Sequence, residues 1–268
     1  MDGLIFRALL QYRVTRASIW ARRFFLLLNL TPPIFVLLTG GREWWAWAYA
    51  FVVHNALLIA ILHPTSNWLG PILTRLPTTE KLVWLTIDDG PSADTVEIAE
   101  WLESVGVSAT FFLIGKNLDA STEALAAIQR HGHTIGNHTQ NHNLGTFWIF
   151  PPGKIRREVG EFQSAVNRLQ LRSFPAFRCP AGIKNPFLHT VLAEEKLTLT
   201  GWTVRAYDGV RCNLDKSLTR IKNGLQPGAI LLVHEGKMDT AGRPASVRLI
   251  QELVKTVRAA GYEFVSSR

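Results

Sequence analysis

The stretch Leu82-Val-Trp-Leu-Thr-Ile-Asp-Asp-Gly-Pro91 decides how the chain folds. Its first seven residues, Leu82 to Asp88, form a short run of apolar and β-branched residues of the kind that builds a strand, and Gly90-Pro91 then forces a turn. Successive strand residues point to opposite faces. Asp88 and Asp89 can therefore reach one site only if the strand is distorted at its end. Taken alone, the two carboxylates could equally mark a helix entry, where acidic groups are favoured.

Downstream the same kind of run recurs, separated by amphipathic stretches. Strands are expected at Ser108 to Ile114, His133 to Asn137, Phe174 to Arg178, Leu197 to Val204, Ala229 to His234 and Tyr262 to Ser266. Helices are expected at Thr95 to Ser104, Ser121 to His131, Ile155 to Leu169, Pro186 to Glu195, Lys216 to Asn223 and Ala245 to Ala260. Regular alternation of this kind implies parallel strands joined by right-handed crossovers. About seven such units after residue 79 suit a distorted, incomplete (β/α) barrel better than a full eight-unit one. On this map Asp88-Asp89, His138, Arg178, Asp208 and His234 each fall at or just past the carboxyl end of a different strand, where such barrels build active sites. An open doubly wound sheet would also place a site at strand ends, so the pattern speaks for catalysis more than for closure.

His138 and His142, in NHTQNH, have metal-ligand spacing, because residues four apart on a helical turn project to one side. A polar turn would show the same pair. The combination is more specific than its parts: LTIDDGP, then HTQNH, then RCPAG (Arg178 to Gly182), then Asp208 after a strand, then LLVH (Leu231 to His234), in that order. This set resembles the polysaccharide deacetylase family, the NodB homology domain of carbohydrate esterase family four, over about residues 80–268. The resemblance implies that Asp89, His138 and His142 bind one divalent metal ion and that Asp88 is the catalytic base. It further implies that Arg178 holds and tunes Asp88, that Asp208 pairs with Arg178, and that His234 is the general acid. Amide hydrolysis needs such a set: a Lewis acid, a base for water and an acid for the leaving amine. Two imidazoles and one carboxylate leave coordination positions open, with zinc the foremost candidate and iron, cobalt or nickel also suited.

Two departures from the family pattern matter. Ala181 stands where an aromatic usually precedes Gly182, although its backbone N–H can still serve an oxyanion. Asp208 is followed by Gly209 instead of tryptophan, and Arg205 stands where another aspartate is common. The missing tryptophan should open the acyl pocket, which leaves acetyl and formyl both in play. Phe147, Trp148 and Phe150, in a loop ahead of Lys154, Arg156 and Arg157, read either as apolar cover on the barrel rim or as a contact to lipid. Of the two cysteines, Cys179 reads as a packed residue, and no disulfide or zinc-knuckle spacing relates it to Cys212.

The first 79 residues lie outside the resemblance. Residues 24–39 and 44–63 contain no Asp, Glu, Lys or Arg, and the second run is about the 20 residues that cross a bilayer core. Pro32-Pro33 should kink the first run or make it re-entrant, and Gly40-Gly41-Arg42-Glu43 reads as the turn between two arms. Trp44, Trp45, Trp47 and Trp68 sit where interfacial rings are favoured. His54 and Asn55 are expected to bond to the first arm, through Asn29, or to meet lipid headgroups. A cleavable signal peptide and a buried helix pair are the competing readings. Residues 1–79 hold seven arginines against Asp2 and Glu43. That surplus lies beside apolar runs and not on a face with stacking aromatics, so it points to membrane and not to nucleic acid. The arginines also place residues 1–23 on the cytoplasmic side.

The organisation read from the sequence is thus a membrane anchor of two helical segments at 1–63, a linker at 64–79 and a catalytic domain at 80–268. The expected activity is metal-dependent removal of an N-acyl group from an amino sugar, with a polyprenyl-phosphate-linked glycolipid at the inner membrane as the favoured substrate. The catalytic domain would then face the cytoplasm. A periplasm-facing deacetylase of wall or exopolysaccharide and a catalytically silent carbohydrate or lipid binder are the alternatives.

Overall fold

The structure is a computed structural model that describes residues 3–15, 19–20, 23 and 26–266. Parallel strands β1 (Leu82–Gly90), β2 (Thr110–Leu113), β3 (Thr134–Asn137) and β4 (Ser173–Phe177) lie side by side, with β1 near the middle of the sheet. The sheet continues with β5 (Thr198–Leu199) beyond β4 at one edge, and with β7 (Ile230–His234) and β6 (Val204–Arg205) beyond β1 at the other. The last strand, β8 (Glu263–Phe264), joins only the first two residues of β1. This is the curled, incomplete barrel expected from the alternating pattern.

The alternation of β1 explains the two layers on either side of it. Val83, Leu85 and Ile87 face the outer core with Phe111, Leu113, Leu231 and Val233, under helices α4 (Thr95–Ser104), α5 (Thr122–Arg130), α8 (Leu214–Gly224) and α9 (Ser246–Ala259). Trp84 faces the other way and fills the barrel interior with Phe112, Ala176 and Ile230. Its indole N–H is satisfied by Thr110 Oγ1 at 2.9 Å, which makes a buried tryptophan acceptable there. Helix α6 (Pro152–Arg168) and the short α7 (Leu188–Glu194) cover the β3–β5 side through Ile155, Val159, Leu188 and Leu192.

The expected strand Leu197–Val204 is not continuous. It breaks into β5 and β6, which lie at opposite edges of the sheet, and the chain crosses the open seam between them at Gly201-Trp202. The stretch read as a linker fills that seam from Leu69 onward. Leu73 N–H donates to Leu199 O at 2.9 Å, Gly201 N–H donates to Leu73 O at 2.8 Å, and Leu76 N–H donates to Gly228 O at 2.8 Å. Leu69, Leu73 and Leu76 are all buried. Gly228 has φ 76°, and a Cβ there would lie 2.2 Å from Leu76 O, so only glycine lets the two backbones meet.

The amino-terminal region also divides. Helix α1 (Leu4–Gln11), read together with the anchor, closes the bottom of the barrel: Ile5, Ala8 and Leu9 are buried against Leu73, Trp84 and Val265. Thr198 Oγ1 donates to Leu9 O, tying α1 to β5. The two apolar arms follow as α2 (Thr31–Leu38) and α3 (Trp44–Leu62). Residues 24 and 25 of the first run lie outside the described residues. Pro32 sits in the first turn of α2, directly after a turn at residues 29–30 that interrupts the helix running from residue 26, so the proline pair marks a break in the first arm as expected. Of the described helices, α3 alone is long and apolar enough to cross a bilayer. The arms meet through Thr31 Oγ1 and Tyr49 OH at 2.7 Å and through edge contacts of Phe35 with Trp45 and Tyr49. Among the described residues, His54 and Asn55 form no bond to the first arm, the first of the two expectations. Their polar atoms contact Ala50 O and Phe51 O of their own helix, one turn back, which satisfies them without a partner arm.

If the seam segment is structural, Leu73→Ala should lower the unfolding free energy by about 2–5 kcal/mol, the usual cost of emptying a fully buried leucine site. Urea unfolding of wild type and variant measures it. A loss below about 0.5 kcal/mol, typical of surface substitutions, would show that residues 69–76 only lie against the barrel.

Candidate active site

At the carboxyl ends of the strands the barrel opens into a cleft of about 690 Å³, with Asp88, Asp89, His138, His142 and His234 on its walls. The two carboxylates share it because β1 is distorted, as strand alternation requires. Its register slips against β2 between Asp88 and Gly90, and Asp89 adopts φ 73°. Aspartate is among the few residues that tolerate this left-handed region.

His138 and His142 converge with Asp89, but not through the helical turn read from their spacing. His138 follows β3 directly, and the loop bends through left-handed Thr139 and His142. Asn137 Oδ1 accepts from Thr139 N–H, and Thr139 Oγ1 accepts from His142 N–H. Glu158, on α6, holds the loop from outside by accepting from Asn141 N–H and from the amides of Asn141 and Asn143. The Nε2 atoms of His138 and His142 lie 3.6 and 3.1 Å from Asp89 Oδ1, and one ligand atom from each of the three residues falls within 4.8 Å of the others. Ligand atoms about 2.0–2.2 Å from a shared ion would stand roughly 3.0–3.5 Å apart, so the donor set fits one divalent cation.

The electrostatics agree with that fit. Burial works to raise the pKa of Asp89, but bonding and attraction from His138, then His234 and Lys237, outweigh it and hold the carboxylate well below its ordinary range. Burial and the neighbouring His138 push His142 down to about 4, so its imidazole is neutral and able to coordinate at neutral pH. Burial opposes a charge on His138, yet Asp88 and Asp89 raise its pKa, so a proton and a metal compete for the same Nε2. His138 Nδ1 faces Arg178 O at 2.9 Å, the second bond that turns Nε2 toward an ion.

Behind this first layer lie Arg178 and Asp208. Arg178 is fully buried, donates from Nη1 to Asp88 Oδ1 at 2.7 Å and to Thr86 Oγ1, and spends Nη2 on Gly201 O. Asp208 does not pair with Arg178 as expected. Its Oδ1 lies 2.8 Å from His234 Nδ1, and its Oδ2 accepts from His234 N–H. Sheet order explains the difference: β6 runs beside β7, which ends in His234, whereas β4 lies on the far side of β1. Neither Arg178 nor Asp208 lines the cleft; both act through a neighbour.

Ala181, with φ 52°, and Gly182 line the wall opposite. Gly182 N–H is taken by Cys179 O at 3.0 Å, so of this pair only the backbone of Ala181 can serve an oxyanion. Burial pushes the Cys179 thiol up to about 12, consistent with a packed residue. Gly209 abuts His234, since a Cβ there would lie 3.1 Å from the imidazole. The cleft does have a tryptophan wall, but from Trp202, whose ring packs on Gly182.

Of the two readings of the aromatic loop, cover holds for Phe147 and Phe150, which are not available to lipid. Both are buried, packed together with Phe177, because Asn185 Nδ2 donates to the carbonyls of Phe147, Trp148 and Phe150 and draws the loop down. Trp148 is half-buried against the end of α3, beside Ala60, Ile61 and Leu69. Arg156, from the basic cluster that follows, is committed to a bidentate pair with Glu194.

Four contributors escaped the sequence reading. Trp202 and Glu158 are two; a charged residue on the apolar stripe Ile155, Val159, Phe162 was the available signal for Glu158. The others follow His234. Lys237 Nζ pairs with Asp89 Oδ2 at 2.7 Å. Glu235 is buried behind the β1 bulge, where its Oε2 accepts from the hydroxyls of Ser92 and Thr95 and its side chain occupies the space a Cβ on Gly90 would need.

The polysaccharide deacetylase family model matches residues 75–201, a stretch that contains the strand-end Asp pair, the histidine loop and Arg178. A chitooligosaccharide deacetylase of Bradyrhizobium is 28% identical over 192 residues, covering 68% of this chain and 86% of its own. A peptidoglycan-N-acetylglucosamine deacetylase of Bacillus cereus is 25% identical over 213 residues, covering 78% and 95%. The crystal structure of a CE4 family pseudoenzyme from Bacillus anthracis superposes with a TM-score of 0.63 at 22% identity, covering 72% of this chain and 66% of that one, and supports the fold alone. Residues 75–201 thus match the polysaccharide deacetylase domain (NodB, CE4), and the relatives this chain resembles are carbohydrate deacetylases.

Burial pushes the Glu235 carboxyl up to about 7 despite its hydroxyl partners. An acid whose pKa is raised in the fold contributes stability that is fully present below its unfolded value and lost as pH rises through the folded one. Stability should therefore fall between about pH 4.5 and 7 more steeply in wild type than in Glu235→Gln, read as urea midpoints across that range. Parallel curves would show that Glu235 is ionised in the fold.

Proposed function

We propose that the protein hydrolyses the N-acyl group of an amino sugar at this cleft, with the catalytic domain held on the cytoplasmic face of the inner membrane and a polyprenyl-phosphate-linked sugar as substrate. The observation that carries the chemistry is the convergence of Asp89, His138 and His142 with Asp88 and His234 in one cleft. A fold shared with a pseudoenzyme proves nothing by itself; these side chains are the warrant.

In this reading Asp89, His138 and His142 hold one divalent ion, zinc by its donor set, which supplies Lewis acidity when bound. Asp88, fixed by Arg178, takes a proton from the attacking water. The Ala181 N–H faces the charge that develops on the acyl oxygen. His234 presents Nε2 to the cleft because Nδ1 is held by Asp208, and it protonates the leaving amine as the C–N bond breaks. Water and amide thus give a carboxylic acid and a free amino sugar. Acetyl and formyl are both candidates for the acyl group.

The membrane placement rests on how the ends of the apolar segment are tied. Helix α1, before it, is buried in the barrel, and the chain re-enters the barrel just after it, so both ends of the segment lie on one side. A hairpin that enters and returns is the topology compatible with that. The arginine surplus then favours the cytoplasm, and α3, at 19 residues, is about 28 Å long, close to a hydrocarbon core. The names of the relatives favour a glycan oligomer as the competing substrate.

Asp88→Asn should cut acyl release by roughly 10²–10⁴-fold while the protein retains its metal, and His142→Ala should lose the metal itself. Released acid and bound metal, measured on the full chain with N-acetylglucosamine oligomers and with a lipid-linked acetamido sugar, separate the two substrates. No acid from either would refute the hydrolase. For topology, a carboxyl-terminal reporter should be cytoplasmic and a Gly41→Cys label periplasmic; a periplasmic carboxyl terminus would refute the hairpin.

A further inference from the structure

The cleft holds more positive charge than its carboxylates use. Asp88 is paired with Arg178, and Asp89 with the two histidines and Lys237. Arg205 and Arg211 also line the cleft, and neither has an ion pair among the described residues. Arg205 is the more telling of the two. Its guanidinium lies 5.4 Å from the Trp202 ring and 4.9 Å from the Tyr207 ring, and its Nε is buried with no hydrogen-bond partner.

A structural role as filler between two rings accounts for the stacking but not for the orphaned donor. The rings offer cation–π contact, and none of the guanidinium's donors, the buried Nε included, has a hydrogen-bond acceptor among the described residues. A buried donor left unpaired is costly, and such exceptions call for an explanation. Tyr207 adds a second anomaly. It holds φ 59°, strained for a bulky residue, while the residue is 62% exposed at the rim. Strain of this kind persists where surrounding structure enforces it, and here Asp208, the next residue, is locked to His234.

We propose that Arg205, backed by Trp202 and Tyr207 and assisted by Arg211, binds an oxyanion carried by the sugar. The inference rests on the hydrolase reading and names its substrate class. Position says which half of the substrate bears the charge. Arg205 pairs with Leu232 in the β6–β7 ladder, two residues before His234. His234 protonates the amine, which stays with the sugar, so a group bound beside it belongs to the sugar and not to the acyl fragment. Planar, bidentate recognition of phosphate or carboxylate is the chemistry guanidinium performs best.

The test uses the full-length, metal-loaded protein in detergent and three substrates: N-acetylglucosamine, its 1-phosphate, and N-acetylmuramic acid, which carries a carboxylate. Wild type should prefer an anionic sugar by at least about tenfold in kcat/KM, through KM, as one to two charge-assisted hydrogen bonds would give. Arg205→Leu should reduce that ratio to within about threefold, and Arg205→Lys should fall between, keeping charge without the fork. Preference for the phosphate or for the carboxylate identifies the source of the oxyanion. An unchanged ratio in Arg205→Leu, with its melting temperature preserved, would overturn the proposal. If Arg205→Leu fails to fold, the Arg205→Lys ratio decides alone. If no substrate is hydrolysed, the hydrolase reading fails, and calorimetric binding of glucosamine 1-phosphate against glucosamine still decides this one.

Discussion

Neighbouring residues on a strand face opposite ways, and this site needs two neighbouring carboxylates on the same side. The left-handed turn at Asp89 meets that demand, and much of the surrounding structure holds it in place. From within, Arg178 grips Asp88 with a charge-assisted bond, itself enclosed by Thr86, Gly201 and the Phe112 ring. From behind, Glu235 ties the following residues through Ser92 and Thr95, and only a glycine at position 90 leaves it room. A backbone in this region costs of order 1–3 kcal/mol and needs such over-determination. The bulge is therefore the hinge of the design: a straight β1 would send one carboxylate into the packed core.

The same logic extends outward in pairs, each reacting side chain facing the cleft with a buried partner behind it. Arg178 stands behind Asp88, Asp208 behind His234, Glu158 behind the histidine loop, and the Arg178 carbonyl behind His138. Arg178 thus serves two positions at once, its guanidinium fixing Asp88 and its backbone orienting His138. Geometry at the ends of β1 and β3, which β2 separates, is coupled through one residue that follows β4.

What could be read in the sequence follows from where the information sits. The strands and helices were legible because their apolar period is local, and Thr95–Ser104 emerged with the expected ends. The chemical residues were legible because each interrupts an apolar run at its carboxyl end, which is where a parallel barrel opens. Partners across the sheet were not. Nothing near Asp208 says that β6 will lie beside β7, so its bond to His234 waited on the sheet order. The seam was hidden for the same reason: Leu73 and Leu76 have strand chemistry without strand period, and their backbone partners, Leu199 and Gly228, are more than 120 residues away. The aromatic loop stayed open between cover and lipid contact because exposure is decided by Asn185, a residue 35 positions further on from Phe150.

The proposed hairpin gains meaning from where its base is fastened. Lys184 N–H donates to Ile61 O at 2.9 Å, and the buried Lys184 ammonium, its pKa lowered by burial to about 8, donates to His63 O. Pro64 packs over Gly182, and Trp148, Ile183 and Leu69 enclose Ala60 and Ile61. The last turn of α3 is therefore bonded to the segment that carries Ala181 and Gly182, one wall of the cleft. A helix joined to the domain only by a flexible tether would leave the cleft free to face any direction. This one joins at two backbone carbonyls and a buried cluster, so the orientation of α3 sets the orientation of the wall. With α1 plugging the far end of the barrel, the cleft lies on the same end of the barrel as the hairpin base. On the proposed hairpin, the cleft would therefore be held at a fixed angle to the bilayer surface by this wall and could not turn independently of α3.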